Sequence, residues 1–300
     1  MNDKTDPGNP SLDSSCRFIF NGADVRGNLV RLGDSYDDMT RLHDYDPVAR
    51  KLLGEFLVAA LLLSDTIKFS GRLVLQATSQ GPVRLVMAEA THDGKTRGIV
   101  RMEDDESPLA ADASIDQLLA DGVIAVTVEP DQGQRYQSIV PLSGHNLAAC
   151  LENYFRQSEQ LSTYVHLAVA PDQAAGILVQ QLPVQVQPDQ QVREDQWQTV
   201  RTLAATVTDA ELLEDSNEVI VRHLFAEANV RILGENPVAF ACSCSEERMA
   251  EALVSLGGAQ LDELFSETEE LELTCEYCAM RYLFSPDHLT RWVTGDAPKH

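Results

Sequence analysis

Four cysteines near the C-terminal end constrain this chain most: Cys242-Ser-Cys244, thirty intervening residues, then Cys275-Glu-Tyr-Cys278. Thiolates in two close pairs can converge on one tetrahedral zinc ion, and a helix-bearing loop between the pairs follows the plan of small zinc domains. Chance clustering of four of six cysteines in this way is a poor explanation. The flanks agree with a small domain. Ser245 is placed to cap a helix through EERMAEALVSL, with Glu246 and Glu247 in its first turn and Gly257 and Gly258 at its end. LELT and MRYLF read as two short strands that make the C-x-x-C turn a metal-binding knuckle, and Ser285-Pro286-Asp287 starts a last helix. Apolar side chains here are few, so zinc must supply much of the folding energy, on the order of 10–16 kcal/mol in small finger peptides.

Where such thiols live follows from composition. The chain has 300 residues, 44% of them apolar, enough for a real core. The polar start MNDKTDPGNPSLDSS has no apolar signal region, and residues 1–17 read as a disordered tail. The longest strongly apolar run, residues 56–63, is far short of the roughly 20 needed to cross a bilayer. A soluble cytoplasmic protein is expected, in a reducing compartment where clustered thiols bind metal or do redox work. The net charge of −24 argues against nucleic-acid and lipid partners, because phosphate binding needs a cationic face. Between Cys242 and Cys278 there are ten acidic residues and one basic residue, Arg248. With no cation beside the pairs in sequence, little except zinc would keep the thiols ionised.

The rest of the chain reads as α+β. Asp46 and Pro47 start a helix whose apolar residues, from Ala49 to Leu61, recur at spacings of three and four, so one broad face can lie against a sheet. Antiparallel strands are expected in RLVLQATSQGPVRLVMAEATHDGKTRGIVRM, GVIAVTVEP and RYQSIVPL, with a short helix in ASIDQLLADG. A helix from about Asn146 to Ser158 precedes two more strands. After the polar stretch 187–195, Trp197, Val200, Leu203, Ala204 and Val207 form a helical stripe, and TDAE at 208–211 is a capping box. The expected layout is a core domain at 18–188 with an antiparallel sheet, a helical linker region at 189–238 that needs a neighbour to stay ordered, and a zinc domain at 239–300.

At these residues the chain resembles the redox-regulated 33 kDa chaperonin family. The match is carried by FACSCSEER, EALVSLGG and CEYCAMRYLF, and in the first domain by QGPVRLV, RYQSIVPL and LAACLENYFRQSEQL. The resemblance implies an ATP-independent holdase of the stress response and no enzyme. It implies one zinc ion on Cys242, Cys244, Cys275 and Cys278 in the reduced, inactive state. Disulfides Cys242 to Cys244 and Cys275 to Cys278 are then expected on oxidation, with zinc release, unfolding of switch and linker, binding of unfolded clients, and a homodimer.

Three other readings remain open from the residues themselves: a purely structural zinc, a thiol-disulfide oxidoreductase using Cys275 and Cys278, and a zinc-dependent nucleic-acid factor. Against the oxidoreductase, the C-x-x-C lies outside any thioredoxin-like pattern. Cys16 and Cys150 read as incidental thiols, Tyr154 and Phe155 as packing residues, and the seven histidines as no part of the site.

Overall fold

The computed structural model describes residues 13–67, 69–103, 110 and 113–289. They fall into two compact units, one ending at Ala241 and the other starting at Cys242. The first unit begins with β1 (Ser14–Phe20), β2 (Val25–Leu32), α1 (Asp34–Arg41), α2 (Pro47–Thr66), β3 (Gly71–Thr78), β4 (Val83–Thr91) and β5 (Lys95–Met102). Next come α3 (Ile115–Leu118), β6 (Val123–Pro130), β7 (Tyr136–Pro141) and α4 (Leu147–Tyr154), which runs into a π-helical turn, Phe155–Glu159. It closes with β8 (Thr163–Val169), β9 (Ala174–Gln181), α5 (Gln190–Ala204), α6 (Asp209–Glu214), α7 (Asn217–Leu224), β10 (Val230–Pro237) and β11 (Ala239–Phe240).

Two sheets result, ordered β10-β1-β2-β9-β8 and β11-β5-β4-β3-β6-β7. Every pairing is antiparallel except β11 with β5. Helix α2 starts where expected, with Asp46 accepting from the Val48 amide at 2.8 Å and Pro47 in the first turn. Its environment differs from the expectation of one buried face on one sheet. Every residue from Phe56 to Ser64 is buried, because α2 packs against β2, β8 and β9 on one side and β3, β4 and β5 on the other. A helix apolar all round must be covered all round. Two strand glycines permit the close approach: a Cβ on Gly98 would lie 2.8 Å from Leu53 Cδ1, and one on Gly176 2.8 Å from Val58 Cγ1.

The first sheet is covered on both faces. Cys16, Phe18, Phe20, Val25, Leu29, Ile177 and Val179 turn away from α2 and pack with Trp197, Val200, Ala204, Val207, Leu212, Ile220, Val221 and Phe225. The helical stripe therefore forms a layer, α5 to α7, on the outer face of that sheet. The capping box forms as expected, Thr208 and Glu211 exchanging side-chain bonds to each other's amides at 3.2 and 2.9 Å.

Three boundaries differ from the expected ones. Residues 14–17, expected in a disordered tail, belong to β1, which pairs with both β2 and β10, while Asp13 is buried against the Gly33 and Ser35 amides. The tail's residues 1–12 lie outside the described residues. The region 189–238 is helical only in its first part, since β10 leaves the helical layer and joins the sheet edge beside β1. Finally, β11, expected in the zinc domain from residue 239, pairs with β5 in the first unit.

The second unit contains α8 (Glu246–Val254), α9 (Gly258–Glu267), β12 (Leu271–Thr274) and β13 (Arg281–Phe284), followed by a helical turn at 286–289. Among its described residues the buried side chains are Ala250, Leu253, Cys275, Phe284 and Leu289, a small core for a separate unit.

Candidate metal centre

Strands β12 and β13 pair in register, Leu271 with Phe284 and Thr274 with Arg281, so the chain reverses between residues 274 and 281. Within the reversal the Cys275 amide donates to the Met280 carbonyl at 2.9 Å and the Ala279 amide to the Cys275 carbonyl at 2.8 Å. Ala279 is left-handed, φ 53°, a conformation that costs a residue with a Cβ about 1 kcal/mol or more. The turn keeps that conformation and places Cys275 and Cys278 on one site.

The other pair stands just before α8. Ser245 caps this helix, accepting from the Arg248 amide at 3.3 Å. Arg248 in turn donates from Nη1 to the carbonyl and hydroxyl oxygens of Ser243, at 2.6 and 2.8 Å, which ties the residue between the two cysteines to the first turn of the helix. Met249, Leu261, Phe265, Leu271, Leu273 and Tyr282 pack around the small core that joins α8 to the hairpin.

These elements bring the sulfurs of Cys242, Cys244, Cys275 and Cys278 within 4.8 Å of one another. Cys242 lies 3.6 Å from Cys275 and Cys244 3.3 Å from Cys278, so each short contact joins one pair to the other. Four thiolates about 2.3 Å from a central ion would be about 3.8 Å apart along the edges of a tetrahedron. The cluster spans that spacing, and its donor set suits a soft or borderline metal ion. Cys275 is buried and the other three are half-buried, so the site is closed on one side and reachable on the other.

The sequence named these four sulfurs but not the fifth group. The Tyr282 hydroxyl donates to Cys244 Sγ at 3.2 Å. Burial works against ionising Cys244, yet the bonds from Tyr282, Cys278, Cys242 and Cys275 outweigh it and hold this thiol below its ordinary value. Burial and then the bonds with Cys244, Cys242 and Cys275 push Cys278 up, and the bond to Cys244 followed by burial pushes Tyr282 up. The cluster thus favours a negative charge on Cys244 first. Tyr282 was legible only as an apolar residue of the small core.

Other candidates fall elsewhere. His288 Nε2 lies 3.1 Å from Glu246 and its ring packs on Phe284, while His223 pairs with Glu211 at 3.3 Å. Cys16 and Cys150 are free, buried thiols, pushed up to about 12 and about 11, chiefly by burial. Tyr154 and Phe155 are buried against the α2 core.

With this geometry in place, comparison with known proteins is specific. The family model described as Hsp33 protein matches residues 13–285. A 33 kDa chaperonin of Pseudomonas aeruginosa strain LESB58 is 45% identical over 284 residues, 94% of this chain and 95% of that one. One from Ectopseudomonas mendocina is 43% identical, over 94% and 96% respectively. Among solved structures, the 33 kDa chaperonin (heat shock protein 33 homolog) of Thermotoga maritima superposes with a TM-score of 0.81. It is 23% identical, covering 95% of this chain and 99% of that one.

Proposed function

The chain belongs to the Hsp33 family, and from that premise we propose that it is a redox-regulated, ATP-independent holdase whose four-cysteine cluster is its switch. The carrying observation is the cluster itself: four sulfurs within 4.8 Å of one another, in a unit whose described residues bury few apolar side chains. The resting state is the reduced protein with one zinc ion on Cys242, Cys244, Cys275 and Cys278. Zinc, when bound, keeps four thiolates ionised and cross-links the hairpin to the start of α8.

Activation starts at sulfur. A thiolate attacks peroxide and breaks the O–O bond, and the second thiol of the pair then displaces hydroxide from the resulting sulfenic acid to form S–S. Each pair gives up two electrons per peroxide, solvent supplies the two protons that sulfurs held as thiolates lack, and two waters leave. The expected disulfides are Cys242 to Cys244 and Cys275 to Cys278, although the short contacts of the folded cluster run between the pairs. Local pairing is favoured because oxidation dissolves the unit. Once its chain is loose, sulfurs separated by one or two residues stay neighbours, while the thirty-residue loop must be closed at an entropic cost.

With the second unit unfolded, the α5 to α7 layer loosens and uncovers the outer face of the first sheet, where Phe18, Phe20, Leu29 and Ile177 lie. Exposed apolar surface of this kind captures unfolding clients. In this layout the chain from β1 to residue 188 is the core, 189–238 the linker, and the unit from Cys242 the switch. The active form is a homodimer working in the cytoplasm without catalytic turnover, and neither nucleic acid nor membrane is a partner. No helix among the described residues is long and apolar enough to cross a membrane.

The test is suppression of light scattering by a thermally unfolding client, measured beside zinc release, thiol count and disulfide mapping. Peroxide-treated protein that has lost zinc should suppress aggregation without ATP. If it holds clients no better than the reduced form, the reading fails.

A further inference from the structure

Outside the switch proposed above, the first unit holds a cavity of about 620 Å³ at the C-terminal end of α2, between the two sheets. Its wall is apolar and aromatic, with Leu63, Val126, Val128, Tyr154 and Phe155 inside and the exposed Tyr136 at its mouth. At one side stands a single cation, Arg26 of β2. Its Nη1 donates to the Thr66 carbonyl at 2.7 Å, and its Nε and Nη2 donate to Gln180 Oε1 at 3.2 and 2.6 Å. Gln180 is fully buried and donates its own Nε2 to Thr163 Oγ1 at 2.9 Å, which fixes the amide with its oxygen toward the guanidinium.

Arg26 thus meets only dipoles, and no carboxylate among the described residues pairs with it. Of its five N–H donors, three are occupied, which leaves two without a protein acceptor. A largely desolvated guanidinium without a counter-charge is costly, and burial pulls its ionisation below the ordinary range. A pocket of 300–1,000 Å³ lined by apolar groups with a few oriented polar ones is the usual form of a small-molecule site.

We propose that this cavity binds a small amphipathic monocarboxylate, its carboxylate on Arg26 and its apolar body among Val126, Val128, Tyr154 and Phe155. Two open donors match one carboxylate, whose two oxygens a guanidinium fork accommodates. Glu159 lines the same cavity and accepts from the Tyr154 hydroxyl at 3.2 Å, so it repels any anion, a doubly charged phosphate more than a monocarboxylate, and a phosphate would also need more donors than Arg26 leaves open.

The experiment uses the full-length reduced chain and decanoate below its micellar concentration, followed by calorimetric titration and by thermal melting. Decanoate should bind at one saturable site and raise the melting temperature. Decanol and inorganic phosphate should bind at least tenfold more weakly. Arg26→Gln and the cavity-filling Val128→Phe should each weaken decanoate at least tenfold while still melting cooperatively. Should Arg26→Gln fail to fold, Val128→Phe and the decanoate-to-decanol ratio decide. Equal binding of decanol, unsaturable uptake, or unchanged binding by Val128→Phe would overturn the proposal. So would preference for an apolar peptide with a free C-terminal carboxylate over decanoate.

Discussion

Asp24, in the turn between β1 and β2, ties the first sheet to the chain leading into α5. Its carboxylate is 5% exposed. Oδ1 accepts from the amides of Gln185 and Val186 at 3.1 and 2.8 Å, and Oδ2 accepts from the Gln187 amide at 3.2 Å. Arg193 Nε lies 3.3 Å from Oδ2, an ion pair without hydrogen-bond alignment, while its Nη2 donates to the Leu182 carbonyl at 2.7 Å. In Asp24→Asn one oxygen can still serve Gln185 and Val186, but an NH2 group then faces the Gln187 amide and the Arg193 guanidinium. One charge-assisted bond is lost and a half-buried cation loses its partner, a cost of about 2–3 kcal/mol. Local opening of α5 should then rise about 30- to 150-fold, since 1.4 kcal/mol is a factor of ten.

Hydrogen exchange read by mass spectrometry is the assay. Peptides from 185–204 should exchange faster in the reduced variant, peptides from α2 should not, and bound metal should be retained. Burial alone would raise the Asp24 carboxyl, but the three amides and then Arg193 hold it below the usual value. Its contribution is therefore complete above the unfolded value near 3.9 and is lost as pH falls through the lower folded value, a window that Asp24→Asn should abolish. If the sheet face under the α5 to α7 layer is the client-binding surface, the variant should also hold clients partly without peroxide. Unchanged exchange at 185–204, or equal acceleration everywhere, would refute the reasoning.

Three further outcomes follow from particular contacts. Stripping metal from the reduced chain with a strong chelator, or making Cys278→Ser, should collapse exchange protection in α8, β12 and β13 while α2 stays protected, because the second unit's core is so small. In the metal-loaded protein, where the metal and not Tyr282 keeps Cys244 ionised, Tyr282→Phe removes a bond that draws charge from Cys244 Sγ, worth about 1 kcal/mol, and should speed peroxide-driven thiol loss roughly fivefold without changing metal stoichiometry. Gly27→Ala would place a Cβ 2.1 Å from Phe18 Cζ on the paired strand and should destabilise the first unit by about 1–3 kcal/mol in urea unfolding.

Features carried by residue spacing along the chain were legible in the sequence: the cysteine pairs, the Asp46-Pro47 start of α2, the Thr208 to Glu211 box, and the stripe from Trp197 to Val207. Features that depend on distant partners were not. Strand β1 looks polar at Ser14 and Ser15, and its pairing with β10 spans more than 200 residues of sequence. The α9 helix carried a signal in Leu261, Leu264 and Phe265 at spacings of three and four, masked by the glycines before it and the acidic residues around it. The two-sided burial of α2 was also present in its run of nine residues without a charge from Phe56 to Ser64, which offers no polar face to water. Tyr282 could not be assigned to Cys244 because the assignment needs the register of β12 against β13.

The placement of β10 changes how release of the helical layer must proceed. Had 189–238 been helical throughout, loss of the second unit would free one end of a loosely packed segment. Instead the α5 to α7 layer is tied at both ends: by Asp24 before α5, and by β10 after α7, where seven residues pair with β1. The chain leaving the second unit reaches β11 first, a two-residue strand held to β5 by Ala239 and Phe240 and by the Ala241 amide on the Thr96 carbonyl at 3.1 Å. Unfolding that begins at the cysteines therefore meets a two-residue pairing, then an edge strand, then the helices, each step larger than the last. Peroxide at low temperature should empty the metal site and free β11 while leaving α5 to α7 in place, and warming should be needed to strip β10 from β1. Time-resolved exchange on oxidised protein distinguishes the cases: protection in 230–237 should be lost after 242–289 and before 190–204, and simultaneous loss of all three would show that the edge strand is no barrier.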